Sequence, residues 1–126
     1  MATRSFTQLD VWKKADDVTN RIYDITERFP QHQLYSMTSQ MQRSAYSVPA
    51  NIAEGFGRMY PKDKARIYNI AFSSAEELKY FLHLSKRRGY RQDDPSLDRL
   101  VEDVRRMLRN LTNATLRNAG IRFDWE

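Results

Sequence analysis

Six polar side chains between residues 40 and 58 have the types and spacing to do chemistry. Gln40, Arg43, Ser47, Asn51, Glu54 and Arg58 follow one another at steps of 3, 4, 4, 3 and 4. At about 3.6 residues per turn, that spacing lines them up along one side of a helix. Such a line of guanidinium, amide and carboxylate groups can bind a polar ligand. It can equally satisfy itself: Glu54 and Arg58 stand at i,i+4, and Arg43 and Glu54 can pair with groups on neighbouring helices, with Ser74 and Glu77 supplied from later in the chain. Polar groups that find partners fix register and geometry, so a network at a helix–helix or subunit contact stands ahead of a binding site.

A second constellation is cationic. Residues 86–122 hold Lys86, Arg87, Arg88, Arg91, Arg99, Arg105, Arg106, Arg109, Arg117 and Arg122 against Asp93, Asp94, Asp98, Glu102 and Asp103, a net of +5. The whole chain also carries +5, with a pI near 9.6. Residues 1–63 have eight Lys/Arg against seven Asp/Glu, and residues 64–126 thirteen against nine. A modestly basic protein with one rich half fits a polyanionic partner; a solvated, Arg-rich helix is the alternative. Lys86, Arg87, Arg88, Arg99, Arg106, Arg109 and Arg117 are the candidate nucleic-acid-binding residues. No helix-turn-helix or other base-reading motif accompanies them, so contacts would fall on phosphates and be largely sequence-independent.

Other chemistries find little to build on. The chain has no cysteine, which excludes disulfides, thiol nucleophiles and zinc–thiolate sites. Its two histidines, His32 and His83, do not stand three residues after a glutamate, so the Glu-x-x-His signature of di-iron bundles is missing. The G-F-G at 55–57 is too short for a phosphate loop and follows a helical pattern rather than a strand. The expectation is a protein without enzymatic activity, cofactor or metal. Neither a signal-peptide-like apolar run at the N-terminus nor a span of about 20 apolar residues is found, so a cytoplasmic protein away from membranes is expected.

The elements that position these side chains are helices. A chain of 126 residues suits one domain with its own core. Prolines at 30, 61 and 95 divide it, and no stretch alternates in the manner of a strand. The first helix spans about 9–29, with the apolar seam Val11, Ala15, Val18, Ile22, Ile25 and Phe29. The second spans about 34–57, with Leu34, Met37, Met41, Ala45, Val48 and Ile52. Pro49 lies inside it, which kinks the helix or divides it in two; the continuing seam favours the kink. The third spans about 62–88, with Ile67, Ile70, Ala71, Ser74, Leu78, Phe81 and Ser85, and Gly89 is its stop. The fourth spans about 96–118, with Ser96 as N-cap and Leu97, Leu100, Val101, Val104, Met107, Leu108 and Leu111 facing inward. Arg99, Arg106 and Arg117 fall opposite that seam. Short connections make neighbours antiparallel, giving an all-α, up-down-up-down four-helix bundle over residues 1–126 with a loose tail from about 119 that contains Phe123 and Trp125.

Apolar residues remain once one seam per helix is assigned. Tyr68, Phe72, Ala75, Tyr80 and Leu84 on the third helix, and Trp12 and Tyr23 on the first, lie off their seams. Clustered surplus of this kind marks either self-association or an unusually wide core, and self-association is the expectation.

Most of the chain resembles a known family. LDVWKKADDVTNRIYDITERFP (9–30), SQMQRSAYSVPANIAEGFGR (39–58) and IAFSSAEEL (70–78) are similar to the bacterial four-helix bundle proteins related to the protein encoded within intervening sequences of large-subunit (23S) ribosomal RNA genes. The central block is the most specific, through Arg43, Pro49, Asn51, Ile52, Ala53, Glu54, Gly55 and Arg58. One departure is Ser73, where the family pattern has glycine. The resemblance implies a four-helix bundle assembled into a ring, typically a homopentamer, without established enzymatic activity. It also implies distant kinship to the accessory protein of diversity-generating retroelements, a basic ring that binds nucleic acid and a reverse transcriptase. The expected partners are therefore other copies of the chain, RNA or structured DNA, or, on the alternative of an interaction scaffold, a partner protein.

Overall fold

Proline and glycine place the breaks. The computed structural model describes residues 3–120, and its principal elements are α1 (Asp10–Thr26), α2 (Ser39–Phe56), α3 (Pro61–Arg87) and α4 (Pro95–Asn118), with no strand among the described residues. Pro61 and Pro95 open α3 and α4, where a missing N–H costs nothing and a fixed φ is already helical. The cap of α4 is Asp94, whose carboxylate accepts from the Leu97 N–H at 3.1 Å; Ser96, the expected cap, lies inside the first turn because Pro95 is already helical. Gly89 (φ 75°) stops α3, with the Gly89 N–H donating to Lys86 O and the Tyr90 N–H to Ser85 O. That pair of bonds satisfies the last carbonyls, and only glycine takes the left-handed position cheaply.

α1 ends at Thr26, before Phe29, but Phe29 stays buried against the Tyr90 ring. Residues 34–38 form a wide π-type turn ahead of α2 instead of its first α-helical turn, and the Gln33 side chain accepts from the Met37 N–H. Leu34, expected in the core, is 45% exposed as a result. Pro49 is buried within α2, which runs through it as one helix. The tail beyond residue 120, including Phe123 and Trp125, lies outside the described residues.

Each helix packs on its sequence neighbour, and α4 closes the bundle against α1. Cross-links fix the antiparallel sense. The Thr19 hydroxyl donates to Ala45 O and Gln42 to Thr26 Oγ1 between α1 and α2, while Lys14 pairs with Asp103 and Arg21 with Asp94 at opposite ends of the α1/α4 contact. Ile22, Met41, Ile52, Leu78, Leu97 and Leu108 are almost fully enclosed.

Between α2 and α3, Gly55 meets the Tyr68 ring. A Cβ at position 55 would lie 2.7 Å from Tyr68 Cε1, so the approach depends on the absent side chain. This contact rotates α3 relative to expectation. Its buried line is Ile67, Tyr68, Ala71, Ala75, Leu78, Leu82 and Ser85, whereas Ile70 is 41% exposed. Tyr68 and Ala75 thus belong to the subunit's own core. Ile25, Phe72, Phe81 and Leu84 are partly buried against it, as is Trp12, which meets Phe6 edge-on. Of the surplus read from sequence, Tyr23 and Tyr80 remain exposed. Ser73 is exposed too, so serine in place of glycine disturbs no packing within the subunit.

Candidate nucleic-acid interface

The inward line of α4 (Leu97, Val101, Val104 and Leu108) puts Arg99, Arg106 and Arg117 on its exposed side. α3 and α4 meet along an edge rich in ion pairs. Arg105 reaches Glu76 across the contact and Glu102 at 2.6 Å, and Lys79 meets Glu102 at 2.8 Å. The Lys79 hydrogen bond is the main reason the Glu102 carboxyl titrates below its usual range. Arg106 pairs with Asp103 at 3.2 Å, and Asp103 is also held by Lys14, whose hydrogen bond is the chief cause of its lowered pKa.

At the top of this edge Lys86 pairs with Asp93 at 2.9 Å, and through that hydrogen bond and its charge keeps the Asp93 carboxyl low. Arg91 is structural. Its side chain is 6% exposed and donates to Leu82 O at 2.7 Å and Ser85 Oγ at 3.2 Å, tying the α3–α4 connection to the end of α3.

The seven candidate cations are therefore not equivalent. Arg87, Arg88 and Arg99 are exposed and have no side-chain hydrogen bond or ion pair among the described residues. Lys86 and Arg106 are already paired. Arg109 is half-buried, its guanidinium 4.2 Å from the centroid of the Phe72 ring. Arg117 is exposed near the other end of α4. Arg122 lies outside the described residues.

The polar line on α2 divides into three parts. Its centre faces α3: Asn51 Nδ2 donates to Ser47 O at 2.7 Å and Ser47 Oγ at 3.0 Å, and the Ser47 and Ser74 hydroxyls share a bond of 2.8 Å. Its C-terminal part is the exposed Glu54–Arg58 pair at 2.7 Å. At its other end Gln40 and Arg43 are exposed, as is Glu77 on α3, and none of the three has a side-chain partner among the described residues.

Sequence reasoning missed Lys62 and Arg66 on α3, which line a groove with Arg109 of α4. Their i,i+4 spacing was visible, but their proximity to Arg109 depends on the register between α3 and α4. Among the described residues no cluster of three or more His, Asp or Glu is placed to hold a metal ion, and no helix is long and apolar enough to cross a membrane.

Residues 7–112 match the 23S rRNA-intervening sequence protein family. The fold is similar to the crystal structure of a protein of unknown function from the S23 ribosomal protein family of Bacteroides thetaiotaomicron. That similarity has a TM-score of 0.75 and 25% identity, and covers 82% of this chain and 95% of that one. No curated protein matches the sequence.

Proposed function

The chain belongs to the 23S rRNA-intervening sequence protein family, and on that premise we propose that it is a non-enzymatic, cytoplasmic, oligomeric protein that binds RNA or structured DNA through the basic side of α3 and α4. The observation that carries this reading is the set of exposed guanidinium groups on Arg87, Arg88 and Arg99, none of which has a side-chain hydrogen bond or ion pair among the described residues, beside Lys86 and Arg106, whose charges are paired. Surface arginines without an ion pair break no existing pair when they meet a phosphate, whereas Lys86 and Arg106 must first give up a carboxylate.

Assembly supports the reading further. Arg43 and Tyr46 on α2, and Ile70, Glu77 and Tyr80 on α3, are exposed, combining apolar area with opposite charges that find no partner among the described residues. We place the contact between copies there, in a ring of five as the family resemblance implies. A ring multiplies each weak phosphate contact by avidity.

One experiment tests both parts. The wild type is to show a light-scattering mass several-fold above its 15.0-kDa chain. It is also to be retained on immobilised double-stranded RNA at low salt. Replacing Arg87, Arg88 and Arg99 together with Gln leaves mass and helicity unchanged and lowers the salt slope of binding by about three units. Absence of retention at low salt defeats the nucleic-acid reading and leaves the scaffold alternative.

A further inference from the structure

The opposite end of the α3/α4 edge holds a second cationic cluster that the reading above does not use. A groove of about 480 Å³ runs between the start of α3 and the end of α4, and Lys62, Arg66, Asn69, Arg109 and Thr112 contribute to its walls. Among the described residues no carboxylate lines it.

The placement of these cations is unfavourable for the isolated subunit. Lys62 lies in the first turn of α3, where the helix dipole already supplies positive charge. Lys62 and Arg66 are like charges at i,i+4, a mildly repulsive arrangement. Neither has a side-chain hydrogen bond or ion pair among the described residues, in contrast to Lys79, Lys86, Arg105 and Arg106 further along the same edge. Nearby Lys64 differs as well, since it donates to Phe56 O at 2.7 Å and so serves the end of α2. Arg109 has its guanidinium carbon 4.2 Å from the centroid of the Phe72 ring, which holds the group at the groove, and it has no ion pair among the described residues. The groove thus combines two unpaired cations, one pre-positioned guanidinium and an amide from Asn69.

We infer that this groove is a second phosphate-binding site, which takes a backbone phosphate of the same nucleic acid that Arg87, Arg88 and Arg99 contact. The inference rests on the proposed nucleic-acid binding. Arg66 and Arg87 are 21 residues apart on α3, which is roughly 31 Å at 1.5 Å per residue. The stretch between them is where Glu76, Glu102 and Asp103 neutralise their neighbours. Two attractive ends therefore flank a balanced middle, and a nucleic acid longer than that distance touches both.

The test uses the full chain and a double-stranded RNA of about 20 base pairs, an A-form helix longer than the distance between the two ends. Lys62→Gln with Arg66→Gln lowers the salt slope by about two units with unchanged oligomer mass and a melting temperature equal to or slightly above that of wild type. Arg109→Met retains the stem over Phe72, removes the charge and lowers the slope by about one. If wild type binds but the Lys62/Arg66 double variant keeps the wild-type slope, the groove inference is overturned and the proposed function stands. If wild type binds no RNA at low salt, both are overturned.

Discussion

The α2/α3 and α3/α4 contacts share a helix and are held by different physics. Between α2 and α3, apart from the Lys64 ammonium that donates to Phe56 O at the end of α2, the links are uncharged: Tyr68 lies against Gly55, and Ser47, Asn51 and Ser74 bond to one another. Between α3 and α4 the visible links are Arg105 with Glu76 and Glu102, Lys79 with Glu102, and two guanidinium groups over Phe72. The first contact depends on shape and tolerates little change, because packed interiors relax only partly. The second depends on charges that remain partly solvated, contributes less per link, and responds to salt. The α2/α3 contact is suited to fixing the subunit's geometry. The α3/α4 edge is the part of the molecule that an external polyanion can engage.

The largest expected effect breaks the shape-dependent contact. Gly55→Ala places a methyl 2.7 Å from Tyr68 Cε1 and destabilises by about 1–3 kcal/mol, read as a loss in urea midpoint at unchanged m. Tyr68→Leu in the same chain relieves the overlap, so the double variant costs less than the sum of the singles. Additive costs would mean that Gly55 and Tyr68 do not meet, and the contrast between the two contacts would fail.

A smaller effect is expected on the charged side. Arg105→Met removes links to two carboxylates while retaining much of the stem over Phe72. It costs about 0.5–1 kcal/mol at low ionic strength, and the difference from wild type shrinks in 1 M NaCl. The Gly55→Ala cost should hardly change with salt. A salt-independent loss at Arg105 would mean that packing, not charge, governs both contacts.

The contrast also shows what was legible in the sequence. Four helices, the breaks at Pro61, Gly89 and Pro95, and the seams of α1 and α4 follow from periodicity and cap chemistry within each segment. The phase of α3 does not. Its apolar residues support two adjacent stripes, one through Ile70 and Ser74 and the other through Tyr68 and Ala75. The stripe that is buried brings Tyr68 against Gly55, one helix away, in a contact that leaves no room for a side chain there. The candidate site was legible to the same extent. The exposure of Arg99 and Arg106 follows from the phase of α4. The pairing of Arg106 with Asp103 depends on rotamers, and the Arg105–Glu76 link and the proximity of Arg109 to Lys62 and Arg66 depend on inter-helix register, which no single helix encodes. The π-type turn at 34–38 was hidden for a related reason, because the apolar pattern continues through it while the hydrogen-bond spacing changes.

The smallest effects separate the two contacts by pH. Tyr68 is buried against α2, and desolvation raises its pKa above the usual value of 10.0. Its neutral form is therefore favoured in the fold. The associated stability is fully present below about pH 10 and is lost as pH rises through the folded pKa. Glu102 and Asp103 behave in the opposite sense. Their pKa values are lowered, chiefly by hydrogen bonds from Lys79 and Lys14, so their contribution is present above the usual carboxylate range near pH 4 and is lost as pH falls. Tyr68→Phe keeps the ring over Gly55 and removes the titrating hydroxyl, so its melting temperature should fall less than that of wild type between pH 9 and 11. Glu102→Gln should be less stable than wild type at pH 7, and the difference should close below about pH 4. The two variants then alter opposite limbs of the stability curve, Tyr68→Phe the alkaline one and Glu102→Gln the acid one. If Tyr68→Phe instead followed wild type throughout the alkaline range, the tyrosine would not be held neutral by burial at the α2/α3 contact, and the division between an uncharged and a charged contact would have to be redrawn there.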